Sequence, residues 1–148
     1  MRRALPPDAA AMEALHHAAY APNRAALGVE PLPLQESCEW LIAQKECWLD
    51  EDCDGPVLSL VLEPEADALL IWSLAVAPRA QGRGLARVGL AFAQTRAGAL
   101  GCGRLRLYTG EKLTRNIAIY AANGFVRTRV ETLADRRVVH MEKSWSGF

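Results

Sequence analysis

The chain has 148 residues, 51% of them apolar, and its 17 Lys and Arg are balanced by 17 Asp and Glu for a formal charge of zero. This length suits one domain, residues 1–148, because a unit of ~150 residues buries roughly 68–70% of its unfolded surface without a disulfide or metal staple. The even charge balance excludes a broad polyanion-binding surface, so no nucleic-acid partner is expected, and the apolar fraction excludes a largely disordered chain.

No apolar run approaches the ~18 residues of a membrane span, and Met1-Arg2-Arg3-Ala4-Leu5-Pro6-Pro7-Asp8 lacks the apolar stretch of a secretory signal. No membrane partner is expected. Cys38, Cys47, Cys53 and Cys102 form no C-x-x-C pair and have no paired histidines. They read as reduced thiols of a cytoplasmic protein with no metal site, zinc or a disulfide framework being the alternative.

In chain order, Arg2–Leu5 reads as a short strand closed by Pro6-Pro7, with Asp8 as N-cap of a helix from Ala9 to Tyr20. Ala21–Leu34, with Pro22, Gly28, Pro31 and Pro33, reads as an irregular lid, and Gln35–Gln44 as a second short helix. Cys47-Trp48-Leu49, the turn Asp52-Cys53-Asp54-Gly55 and Pro56–Glu63 predict a hairpin. Ala68–Ala77 is apolar on both faces and therefore a central strand. A glycine-rich break at Pro78–Gly84 precedes a helix in which Leu85, Val88, Phe92 and Ala99 recur at helical spacing, ending near Gly98–Gly101. Arg104–Tyr108 reads as a strand, Asn116–Asn123 as a helix closed by Gly124, and Phe125–Thr132 with Arg137–Glu142 as a final antiparallel pair. The order predicts a mixed α/β sheet, antiparallel hairpins first, with crossover helices around one central parallel step.

The most informative stretch is Leu74-Ala75-Val76-Ala77-Pro78-Arg79-Ala80-Gln81-Gly82-Arg83-Gly84-Leu85-Ala86-Arg87. A strand feeds a glycine-rich turn that opens a helix, where unpaired backbone N–H groups and the helix dipole favour an anion. Gly82, Gly84 and Ala86 remove the bulk that would hold a phosphate away, and Arg79, Arg83 and Arg87 add positive charge. The alternative is a turn that needs glycine for geometry alone. The stretch is neither a Walker loop, which needs G-x-x-x-x-G-K-[ST], nor a dinucleotide fingerprint.

Gln81-Gly82-Arg83-Gly84-Leu85-Ala86 fits the [QR]-x-x-G-x-[GA] pattern of the GNAT superfamily of N-acetyltransferases, and Leu74-x-Val76-x-Pro78 resembles the strand before it. Asn116 to Phe125, ending in Tyr-x-x-x-Gly-Phe, is similar to that family's second motif. Tyr108-Thr109-x-Glu111-x-Leu113-Thr114-Arg115-Asn116 resembles a bacterial subset of small members. The likeness is specific from Val57 to Lys143 and extends over the first 50 residues only by element order. It implies a mostly antiparallel sheet of about six or seven strands, flanked by about four helices and splayed at the central parallel pair.

The resemblance implies that Gln81, Gly82, Arg83, Gly84, Ala86 and Arg87 hold the pyrophosphate of acetyl-CoA. It further implies that the backbone of Leu74 and Val76 pairs with the pantetheine amides, with the Leu74 N–H aimed at the thioester oxygen. Such a donor is useful because charge grows on that oxygen in the transition state. Tyr120 is the expected acid for the leaving thiolate; its alternative is a core aromatic beside Phe125. Asn116 either bonds the pantetheine arm or caps its helix. Many relatives carry Glu near the start of the central strand, where Trp72 stands here. Glu63, acting through water, is the candidate base, against a solvated turn carboxylate; Ser73 either orients a water or bonds backbone. His140 reads as a strand histidine or a base, and His16, His17 and Tyr20 lie in a region that lines the acceptor site in the family. Trp145 reads as a core or sheet-face residue, with cover for a sheet edge or a partner subunit as the alternative.

The implied activity is transfer of an acetyl group from acetyl-CoA to a primary amine of a small molecule or peptide by direct attack in a ternary complex, without a metal. A homodimer is compatible with the family. The rivals are a non-catalytic acyl-CoA binding module on the same fold and an interaction domain with a purely architectural glycine turn.

Overall fold

The computed structural model describes residues 1–145. Strands β1 (Arg2–Arg3), β2 (Glu46–Asp52), β3 (Gly55–Pro64), β4 (Leu69–Val76), β5 (Arg104–Gly110), β6 (Val126–Thr132) and β7 (Arg137–Ser144) form one sheet. Its order is β1-β2-β3-β4-β5-β7-β6. Every neighbouring pair is antiparallel except β4–β5. Four α-helices flank it: α1 (Ala9–Leu27), α2 (Cys38–Gln44), α3 (Leu85–Ala99) and α4 (Thr114–Ala122). The mixed, mostly antiparallel architecture expected from the sequence is the one observed.

Helix ends differ from expectation for local reasons. The first helix does not stop at Tyr20 but runs through Pro22 to Leu27. A proline removes one N–H and fixes a helical φ, and the surrounding alanines are the best helix formers. Gly28 ends the helix at φ +75°, donating its N–H to the Arg24 carbonyl at 2.9 Å. Only the latter part of Ala21–Leu34 is therefore irregular, followed by a 3₁₀ turn at Leu32–Gln35. Ser37, whose Oγ accepts from the Trp40 N–H, starts α2 later than predicted.

Asp8 does not cap α1 either. A 3₁₀ turn at Pro6–Asp8 runs straight into the helix, so the Asp8 carboxylate accepts from the Leu5 N–H at 2.8 Å and from the Arg2 guanidinium at 2.8 and 2.9 Å. Trp145 packs against the core on the α3 side, and its N–H donates to the Gly103 carbonyl.

The sheet separates two apolar layers. On one face Leu90, Ala93 and Ala97 of α3, with Ile117 and Phe125, pack on Leu60, Leu62, Ile71, Leu105 and Leu107. On the other, Met12 of α1 and Cys38 and Leu41 of α2 cover Cys47, Leu49 and Val61. Sidedness along β4 breaks at Trp72. Val61 pairs with Ser73 and Leu62 with Ile71, leaving Trp72 as the extra residue of a β-bulge. Ile71 and Leu74 consequently pack toward the α3 layer, whereas Trp72 packs with the α1–α2 layer and Ser73 bonds Tyr20 of α1.

The parallel pair is short. β4 and β5 pair only at Leu69–Leu105 and Leu70–Arg106, and beyond those residues the strands separate.

One buried group ties α1 to the sheet and has a consequence for stability. His16 is almost inaccessible, its Nε2 2.7 Å from Ser59 Oγ, and burial pulls its pKa down to about 4. A histidine whose folded pKa lies below its unfolded 6.5 contributes stability above pH 6.5 that is lost as the pH falls toward 4. That loss is on the order of 3 kcal/mol, at ~1.4 kcal/mol per pKa unit. Asp8 and Asp52, held near 2 by Arg2 and Arg79, act below that window, and Glu13 and Glu46, held below 4.5 against burial by the Cys38 and Arg96 hydrogen bonds, add losses only at its acid end. Denaturant midpoints measured from pH 7 to 4 are therefore expected to fall steadily in the wild type and to flatten in His16→Gln. A flat wild-type profile would contradict the buried neutral imidazole.

Candidate active site

The separation of β4 and β5 opens a cavity of about 570 Å³. It reaches from the turn before α3, past the outer edge of β4 and the inner face of α4, to the C-terminal half of α1 and the β6–β7 turn.

At one end lies the glycine-rich turn. Gly82 and Gly84 adopt φ +83° and +74°, a region that side chains with a Cβ rarely enter. Gly84 is the N-cap of α3 and has no side chain to satisfy the first-turn N–H groups. A Cβ built on it meets nothing within 4 Å, so the cap opens into space. Gln81, Gly82, Gly84, Leu85 and Ala86 line the cavity here. Open first-turn amides at a helix N-terminus form a cradle for an anion, and the chemistry of this end fits a diphosphate. Arg83 and Arg87 stand exposed beside the cradle. Arg79 does not add to it: its guanidinium is clamped by Asp52 at 2.7 and 3.0 Å and donates to the Gly55 carbonyl, fixing the turn to the β2–β3 hairpin.

Along the cavity, β4 presents backbone. Ala77 donates to the Val57 carbonyl at 2.9 Å, so by antiparallel alternation Ala75 and Ser73 also turn their peptide groups toward β3. Leu74 and Val76 turn theirs the opposite way, into the gap. The Leu74 carbonyl already accepts from the Tyr20 phenol at 3.0 Å, and Tyr20 in turn accepts from the Ser73 hydroxyl at 2.7 Å. Ser73 is thus committed to orienting Tyr20 and not a water. Burial pushes the Tyr20 phenol up to about 12.

From α4, Asn116 and Tyr120 both line the cavity. Helix α4 begins at Thr114 with Leu113 as its cap residue, two residues earlier than predicted, which places Asn116 inside the first turn and not at the cap. The Tyr120 ring packs edge-on against Phe125, centroids 6.0 Å apart. Burial, with Tyr20 nearby, raises its pKa above the usual phenol value. The Tyr120 ring thus packs on the core while the residue also lines the cavity.

The remaining candidates are placed elsewhere. Glu63 does not line the cavity; its carboxylate is paired with Lys45 Nζ at 2.8 Å. That ammonium is itself sandwiched by the Trp40 and Trp72 rings at 5.3 and 5.7 Å. His140 is enclosed behind Tyr108: Arg106 donates to its Nδ1, so its Nε2–H donates to Glu131 at 2.8 Å. Both ring nitrogens are occupied. His17 is exposed beside Glu13, and Cys102 is buried in the core. Trp72, Tyr108, Leu27 and the Pro31–Pro33 segment complete the wall on the α1–α2 side. Sequence reasoning missed Arg136, which also lines the cavity and whose side chain is only 4% exposed. Its position in a polar turn gave no signal of burial. Among the described residues no three potential metal-binding side chains cluster, and no helix is long and apolar enough to cross a membrane.

No curated protein sequence is similar to the chain at a significant level. Solved structures do resemble it. PaiA N-acetyltransferase from Thermoplasma acidophilum, in complex with coenzyme A, superposes with a TM-score of 0.78 at 16% identity, over 97% of each chain. Ribosomal-protein-alanine N-acetyltransferase from Brucella melitensis gives 0.73 at 19% identity, over 97% of this chain and 98% of that one. Nourseothricin acetyltransferase gives 0.62 at 21% identity over 68% of this chain, which spans 65% of that protein's length. Identities this low establish the fold alone. The sequence itself, however, matches the model of the acetyltransferase (GNAT) family over residues 12–125, a stretch that holds the open glycine turn, the bulged strand and the helix of Tyr120. By that match the chain belongs to the GNAT family of acetyltransferases.

Proposed function

We propose that the protein is an acetyl-CoA-dependent N-acetyltransferase that acetylates a primary amine by direct attack in a ternary complex. One observation carries this reading: a single cavity joins the open cap at Gly84, the cleft-facing backbone of Leu74 and Val76, and the Tyr120 phenol. Solved relatives support the cosubstrate, since the structure from Thermoplasma acidophilum holds coenzyme A.

Acetyl-CoA supplies an acetyl group already activated as a thioester. Gln81, Gly82, Arg83, Gly84, Ala86 and Arg87 anchor its diphosphate. The N–H groups of Leu74 and Val76 orient the arm, and Leu74 faces the thioester oxygen, where negative charge develops as the amine adds. Asn116, one turn before Tyr120 on α4, bonds the same arm. Tyr120 holds a proton for the sulfur as the C–S bond breaks and the C–N bond forms. Tyr20 occupies the Leu74 carbonyl, which leaves the N–H as that residue's contact with the arm.

No carboxylate lines the cavity among the described residues. Direct proton abstraction by Glu63 is therefore not part of this mechanism, because Lys45 holds that carboxylate outside the wall. The amine arrives neutral, and its proton leaves to water. The same observation favours a second reading, a module that binds acyl-CoA without turnover.

Two measurements separate these readings. Acetyl-CoA at 100 times its dissociation constant is expected to add ~2.7 kcal/mol of stability, visible as a raised melting temperature. A panel of primary amines is then expected to release free thiol. Stabilisation without thiol release would leave the binding module; absence of stabilisation would remove both.

A further inference from the structure

Resting on that reading, the charge distribution of the cavity specifies the acceptor. Its charged lining residues are Lys112, Arg115 and Arg136, all cationic. Arg136 is the least ordinary of the three, because a guanidinium 4% exposed needs an anion. Nearby acids are already committed. Glu30 is bound by Arg24 at 2.8 Å and Glu111 by Arg137 at 3.2 Å. What faces Arg136 is Asp135, its own sequence neighbour in the β6–β7 turn, which is half exposed and bonds it at 3.0 and 3.1 Å.

Asp135 is half exposed, so an entering ligand carboxylate can take its place on the guanidinium while Asp135 turns out to water, and the buried cation keeps an anion throughout. The Arg136 fork is then available to a planar, two-oxygen ligand, the shape that guanidinium binds bidentately. The cosubstrate's phosphates do not explain this cation. Their cradle follows β4, whereas Arg136 lies in the β6–β7 turn, immediately before β7, with β5 between β4 and β7 in the sheet. The same cavity also carries apolar and aromatic wall, including Leu27, Pro31, Trp72 and Tyr108.

We infer that the acceptor is a primary amine bearing a carboxylate, whose carboxylate pairs with Arg136 while its amine faces the thioester. A polyamine or other multiply cationic acceptor would meet three like charges and no acid.

The test compares free amino acids with apolar side chains, their carboxamides, dipeptides with and without C-terminal amidation, and spermidine, read as thiol release. Acids are expected to exceed their amides in kcat/KM by about ten- to hundredfold, the size of a lost hydrogen bond to a charged group. The amide carries the less basic and thus more available amine, so amine basicity cannot produce this preference. Preference among free amino acids assigns the carboxylate to an amino acid; preference only among dipeptides assigns it to a peptide terminus. Arg136→Gln is expected to erase the acid-over-amide ratio by raising KM, with Arg136→Lys restoring part of it and acetyl-CoA affinity unchanged. The inference falls if amides or spermidine are the better acceptors, or if Arg136→Gln leaves the ratio intact; in either case thiol release still upholds the acetyltransferase. No thiol release from any amine would remove both.

Discussion

Gly84→Glu is expected to abolish coenzyme A binding while the fold survives. At φ +74° any side chain is strained by about 1–2 kcal/mol, which a core of this size tolerates. Space is not the obstacle to folding, because a Cβ there meets nothing within 4 Å. The obstacle is to the ligand. A carboxylate at the cap residue would satisfy the open first-turn N–H groups itself and set a like charge against the diphosphate. Like-charge contact costs several kcal/mol, and each 1.4 kcal/mol is tenfold, so affinity should fall at least about a hundredfold. Gly84→Ala shares the strain but adds only a methyl group, so it should lose much less. Calorimetric titration with coenzyme A, beside circular dichroism of both variants, measures this. Wild-type affinity in Gly84→Glu would remove the turn from the binding site.

The features that were legible before the structure share one property: their physics is local. Strand β4 followed by Gly82, Gly84 and Leu85 states its own geometry, because only glycine suits the left-handed positions and an uncapped helix must follow. The alternating and apolar runs likewise gave the strands and the single parallel step. What was not legible depended on partners distant in sequence. Arg79 looked like a phosphate ligand until Asp52, 27 residues away, was seen to hold it. Glu63 looked available because Lys45 comes from the end of α2. Pro22 looked like a stop because proline breaks most helices, yet its alanine neighbours and the cost of only one hydrogen bond carried α1 to Leu27. Those extra turns, about two at 3.6 residues each, matter: they bring Leu27 against Gly110 and so close the cavity on the β5 side. Arg136 was invisible for the same reason, since the cavity it lines is shared with Leu27 of α1 and Gly110 of β5, both distant in sequence.

Tyr120→Phe is expected to lower kcat by about a hundredfold or more, the usual contribution of a positioned acid, with coenzyme A affinity nearly unchanged. The ring's edge-on contact with Phe125 survives the substitution, so only the hydroxyl is lost. Burial raises the phenol's pKa, which keeps the proton on oxygen throughout the neutral range and beyond the ordinary value of 10. The wild-type profile of kcat/KM should therefore rise with pH until the acceptor amine is deprotonated and show no descending limb below about pH 10. Among the described lining residues no carboxylate or histidine is present to add an enzyme-derived ascending limb, so the midpoint should move with the acceptor. Two acceptors of different amine basicity, assayed by thiol release from pH 6 to 10, check this directly. In Tyr120→Phe the same midpoints should persist at the lower rate, because the residue lost is the acid and not the base. An unchanged rate, or a midpoint fixed near neutrality for both acceptors, would place the proton chemistry on a group other than Tyr120.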